Sequence, residues 1–156
     1  MDGLIIKRAK ASDATTIAEM SRALIEEGLG WSWRPARVTR QLARSDTLGV
    51  VVREDRRVVA FAIASYGDLQ AHLLLLAVAP SHRRRGLGRR LIDWHEACAR
   101  AAGIESVHLE VREGNQGAQR FYKTLGFVER GRTPGYYSGR EGAVKMVHTL
   151  TVRALR

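Results

Sequence analysis

Residues 72–91 read H-L-L-L-L-A-V-A-P-S-H-R-R-R-G-L-G-R-R-L, and no other stretch narrows the fold as much. The apolar run from Leu73 to Ala79 is far below the roughly 20 residues a membrane span needs. It reads as a buried central strand, apolar on both faces, that stops at Pro80. Beyond the glycines, Leu87, Leu91, Trp94, Cys98 and Ala101 recur at alternating four- and three-residue steps, while Arg89, Arg90, Asp93, Glu96 and Arg100 face away. That is an amphipathic helix ended by Gly103. A strand, a donor-rich turn and a helix in direct succession imply an α/β domain. The junction also has a chemistry: unpaired backbone N–H groups and the positive end of a helix dipole bind phosphate, and glycines let an anion approach the main chain. It is not a Walker loop, because no Lys-Ser or Lys-Thr follows either glycine. It is not a dinucleotide fingerprint either, since Leu91 stands where a third glycine is required.

The rest of the chain supplies a sheet around this unit. A strand from Leu4 ends at Lys10, and a helix capped by Ser12 or Asp13 carries Ile17, Met20, Leu24 and Ile25 at helical spacing until Gly28. G-L-G-W-S-W-R-P punctuates the chain, and a second short helix covers 36–44. The β-branched segments 47–53 and 58–65 flank E-D-R-R and read as a hairpin, with a third strand over 69–79. Val107, Leu109 and Val111 alternate with His108, Glu110 and Arg112 in a half-buried strand. Asn115 can cap a helix carrying Ala118, Phe121, Tyr122 and Leu125, ended by Gly126, and strands over 127–132 and 143–150 close the chain. The order β-α-α-β-β-β-α-β-α-β-β has no internal repeat or linker, so one domain is expected over 1–156.

Composition bounds the partners. The chain has 156 residues, 45% of them hydrophobic, enough for one ordinary core, and a formal charge of +10 that points to an anionic partner. The single cysteine, Cys98, excludes an internal disulfide framework and a cysteine-built metal site, and points to a reducing compartment, hence the cytoplasm. The N-terminus meets charges too soon for a signal peptide, and no metal or membrane association is expected. A nucleic-acid module is disfavoured: there is no aromatic-glycine RNA motif or zinc-finger spacing, and the arginines are spread over several elements.

V-A-P-S-H-R-R-R-G-L-G resembles the acetyl-CoA signature of the GNAT superfamily of N-acetyltransferases, with Arg83, Gly86 and Gly88 at its defining positions. A second block, N-Q-G-A-Q-R-F-Y-K-T-L-G-F from Asn115 to Phe127, resembles the same superfamily in the same order. The resemblance implies a mixed, mostly antiparallel central sheet flanked by helices, with splayed parallel central strands. It implies acetyl-CoA as the anionic partner, its pyrophosphate on the amides of Arg84, Arg85, Gly86, Leu87, Gly88 and Arg89 and its pantetheine arm along Leu76, Ala77 and Val78.

Acetyl transfer to an amine needs a proton acceptor, a donor to the thioester carbonyl and a proton for the leaving sulfur. By the same resemblance Tyr122 protonates the sulfur. Asn115 bonds the cofactor or caps its helix, and a small Ala118 allows close approach or simply packs. Glu110 in L-E-V-R-E-G-N resembles the general base of ribosomal-protein-alanine acetyltransferases; His108, on the same face, or a water are alternatives. Y-Y-S-G-R-E-G from Tyr136 resembles protein N-terminal acetyltransferases, so Tyr136 and Tyr137 are expected to line an acceptor groove. Trp31 and Trp33 wall that groove or cover the core. The expected acceptor is a protein or peptide N-terminal amine, with a small-molecule amine as the alternative. Oligomeric state is not legible.

Overall fold

The computed structural model describes residues 4–150. Among the described residues seven strands, β1 (Ile6–Arg8), β2 (Thr47–Glu54), β3 (Arg57–Tyr66), β4 (Gln70–Val78), β5 (Ser106–Arg112), β6 (Val128–Tyr137) and β7 (Glu141–Thr149), form a mixed and mostly antiparallel sheet in the order β1-β2-β3-β4-β5-β7-β6, and the element order matches the expectation. The chain divides into two compact units: one runs to Ser65 and takes in Leu74–His95, the other comprises Tyr66–Leu73 and the chain from Glu96 on.

In the first unit, β1 (Ile6–Arg8) pairs antiparallel with β2 (Thr47–Glu54), which forms a hairpin with β3 (Arg57–Tyr66). Val50, Val51 and Val52 on β2 and the run from Val59 to Ala64 on β3 are buried, so these strands are apolar on both faces. Helices α1 (Ala14–Leu24) and α2 (Pro35–Leu42) bring Ile17, Ala18 and Val38 onto Val51, Phe61 and Ile63, with Leu75 and Ala77 from β4 (Gln70–Val78). Burying one such large side chain contributes roughly 1.5–3 kcal/mol. Asp13 does not cap α1 as expected. Its carboxylate turns back to accept the Lys10 N–H at 2.7 Å and takes both Arg53 nitrogens at 2.8 and 2.7 Å, a charge-assisted fork stronger than a cap.

β4 corrects the reading of a doubly buried strand. Ala71, Leu73, Leu75 and Ala77 are buried, whereas His72, Leu74, Leu76 and Val78 are only half-buried. Helix α3 (Leu87–Ala101) is rotated from the expected stripe. Leu87, Leu91, Ile92, His95, Glu96 and Ala99 face inward, and Ala101 is exposed. Two polar residues are tolerated there because both are satisfied: His95 Nε2 bonds the Ala62 carbonyl at 3.2 Å, and Glu96 meets His148 at 2.5 Å.

In the second unit, Gln70, Ala71 and His72 pair in parallel with Ser106, Val107 and His108 of β5 (Ser106–Arg112). β5 then pairs antiparallel along its length with β7 (Glu141–Thr149), and β7 with β6 (Val128–Tyr137). Val107, Leu109 and Val111 pack inward as their alternation requires, joined by Phe127, Val144, Met146 and, from α4 (Gln116–Thr124), Tyr122.

Candidate active site

The first unit carries the strand-to-helix corner. A 3-10 turn, Pro80–His82, leads from β4 into the arginine run. His82 is buried, with Nε2 2.8 Å from Glu54 Oε1 and Nδ1 2.8 Å from Ser81 Oγ, which ties the turn to the end of β2. Arg84 and Gly86 take the left-handed backbone conformation, φ 66° and 75°. Nothing stands within 4 Å of where a Cβ on Gly86 would lie. The first amides of α3 have no partner one turn back, and the first closing bond runs from Arg90 N to Gly86 O at 3.0 Å. Arg84, Arg85 and Arg89 are exposed around this corner. Open space over the main chain, free helix amides and three exposed guanidiniums fit a diphosphate. Arg83 Nε donates to the Val78 carbonyl at 3.1 Å, bracing the loop on its own strand, and the Leu87 side chain is in the core, which leaves its main-chain amide to face the corner.

The second unit carries the proton chemistry. Glu110 lies on the outer face of β5, and its Oε1 is 2.6 Å from His72 Nε2 and 3.4 Å from the Tyr136 hydroxyl, which donates to it. Burial pulls the Glu110 carboxyl up, but the hydrogen bond and charge of His72, with Tyr136 and Lys145, outweigh it and hold the group below the usual carboxylate range. His108 points to a different partner, Ser106 Oγ at 2.8 Å, and burial with the neighbouring His72 charge lowers its pKa. His72 is the residue the sequence reading missed. Its partner is 38 positions away, and only the parallel register of β4 and β5 puts it on the same polar face.

Tyr136 and Tyr137 stack edge to face at 4.9 Å, with Tyr136 49% exposed. Burial, then the charges of Tyr136, Glu110 and Tyr122, push the Tyr137 phenol up, so these groups share one electrostatic neighbourhood. Tyr122 packs between Phe121 and Phe127, with ring centroids at 5.2 and 5.6 Å, and burial pushes its phenol up too. Asn115 caps α4, its Oδ1 accepting from Ala118 N at 3.0 Å. In the first unit, the two tryptophans clasp the loop after α1. Trp31 donates to the Ala18 carbonyl at 3.1 Å under the guanidiniums of Arg22 and Arg34, and Arg37 lies 3.8 Å over Trp33. Their anchor, also missed, is the buried Glu26, whose carboxylate accepts from Ser21 Oγ at 2.8 Å and from the N–H groups of Ser32 at 2.7 Å and Trp33 at 3.3 Å.

The first unit thus offers a strand-to-helix corner open to an anion, and the second a carboxylate paired with an imidazole on one strand face. Residues 17–127 match the model of the Acetyltransferase (GNAT) family, and the chain belongs to that family of N-acetyltransferases. It is 36% identical over 102 residues to the ribosomal protein bS18-alanine N-acetyltransferase of Salmonella typhimurium, spanning 64% of this chain and 69% of that one. The crystal structure of the ribosomal-protein-S18-alanine N-acetyltransferase from Escherichia coli superposes with a TM-score of 0.81 at 25% identity, covering 97% of this chain and 96% of the other. Arabidopsis thaliana NAA60, solved in complex with acetyl-CoA, shares the fold with a TM-score of 0.78 at 19% identity, over 94% of this chain and 98% of its own.

Proposed function

We propose that the chain transfers acetyl from acetyl-CoA to the α-amino group of a protein or peptide N-terminus. The observation that carries this reading is the Glu110–His72 pair beside Tyr136 and Tyr137. An α-amino group titrates near 8 and arrives partly as ammonium. An ionised carboxylate attracts it, and the exposed Tyr136 beside Tyr137 offers a polar-tipped aromatic surface to a chain end. The bacterial relative is named for an alanine of a ribosomal protein, which supports a protein acceptor.

The residues at 84–89 would hold the diphosphate through main-chain amides and guanidiniums, and β4 at Leu76, Ala77 and Val78 would hold the arm. Bound acetyl-CoA supplies an activated acyl thioester. Glu110 holds the incoming amine and, with His72, takes its proton: an imidazole that donates Nε2–H to Oε1 keeps Nδ1 as its basic nitrogen. Tyr122 keeps its phenolic proton at neutral pH and releases it at Oη to the leaving sulfur. Burial weakens the phenol as an acid, but desolvation raises the basicity of a thiolate as well, so the transfer stays feasible. Asn115 fixes the start of α4 and thereby Tyr122. Trp31 and Trp33 hold the loop shape.

Thiol release from acetyl-CoA across N-terminal peptides, free amino acids, polyamines and aminoglycosides tests the proposal. Peptides should give the highest kcat/KM by at least about tenfold. A small amine that outruns every peptide would replace the acceptor and leave the transferase chemistry standing.

A further inference from the structure

A pocket of about 470 Å³ opens on the first unit, where five cations line it: Lys7, Arg8, Lys10, Arg53 and Arg56. Its floor is the edge strand β1 and the turn between β2 and β3. Arg53 is already engaged in its fork with Asp13. Lys7, Arg8 and Arg56 make no ion pair among the described residues, Lys10 adds its charge to the Arg53–Asp13 fork, and the one acidic side chain of the lining is Asp55. Like charges gathered around one concavity repel each other and attract an anion of matching extent. The turn adds to this. Asp55 and Arg56 have φ of 50° and 70°, the pair of left-handed positions that a two-residue hairpin usually fills with Asn-Gly. Here the second position carries a guanidinium.

The lining also narrows the occupant. Ile5 is its single apolar residue and it has no aromatic ring. An acidic protein would lack the apolar centre on which interfaces depend, and a base would find nothing to stack on. Phosphate oxygens need only charge and forked donors, which arginine supplies. We propose that this pocket, whose lining shares no residue with the acetyl-CoA corner, is a sequence-independent seat for the phosphodiester backbone of a nucleic acid.

Fluorescence anisotropy with labelled single-stranded RNA and DNA of about 15 nucleotides tests it. Three uncommitted cations predict a log–log salt slope of about −2, at roughly 0.7 per contact on a single strand. Lys7→Gln combined with Arg56→Gln should cut affinity at least about tenfold near 0.1 M salt and flatten the slope by about 1.4. Acetyl-CoA affinity and thermal midpoint should stay as in the parent. Arg120→Gln with Arg130→Gln removes the same charge elsewhere and should change affinity by less than about twofold. The proposal falls if the parent binds neither oligonucleotide, if the Arg120/Arg130 variant loses as much, or if only Arg84→Gln with Arg85→Gln abolishes binding. It also falls if poly-glutamate competes as well as RNA does.

Discussion

Glu110 sits below its ordinary range because His72 donates to it, and that has a kinetic sign. A carboxylate whose folded pKa lies under 4.5 stays ionised throughout neutral pH and loses its charge only as pH falls through that lowered value. The acidic limb of kcat/KM should therefore belong to the incoming amine and not to Glu110. Glu110→Gln should lower kcat on the order of 100-fold with the limb unmoved. A limb that shifts in Glu110→Gln reverses the assignment. Tyr122→Phe should lower turnover by about 100-fold while acetyl-CoA binding by calorimetry is nearly intact, because the ring stays wedged between Phe121 and Phe127. The sequence singles out Glu110 and Tyr122 because each sits inside a local block of recognisable spacing. It passes over His72, which stands at the head of an apolar run and whose meaning depends on a parallel pairing across 38 residues.

At the scale of elements, the order of strands and helices was readable from alternation and glycine punctuation, and so was the Asn115 cap. The phase of α3 was not. A stripe drawn through apolar residues puts Glu96 outside, but the helix turns it in, where His148 receives it. The distant partner decides, and no local pattern reports it. Two loops carry predictions. Gly86 needs its left-handed φ of 75° as well as the space beside it. Gly86→Val should weaken acetyl-CoA at least about tenfold in calorimetry with the circular dichroism spectrum retained; equal affinity would remove the corner from the site. Glu26 is the hub of the loop after α1, and Glu26→Ala leaves a buried hydroxyl and two amides unpaired. We expect a loss of about 2–3 kcal/mol in urea unfolding, with acetyl-CoA affinity unchanged.

For the molecule as a whole, the described helices include none long and apolar enough to cross a membrane, and stability should respond to mild acid through His95. Burial lowers this imidazole to about 4. Between there and the ordinary 6.5 the unfolded chain binds a proton that the folded one refuses, so stability is complete above pH 6.5 and lost as pH falls through the window. By pH 5 the loss from this group is about 2 kcal/mol. His95→Gln, which keeps a donor for the Ala62 carbonyl, should flatten the dependence of the urea midpoint on pH; an equally steep curve would clear His95 of that role. The bridge from Arg83 to the Val78 carbonyl bears on how the enzyme meets its carrier. A loop braced in advance captures on encounter, with no slow rearrangement ahead of docking. In stopped-flow mixing, Arg83→Ala should slow association and leave the escape rate nearly unchanged, making readiness rather than grip the contribution of that arginine.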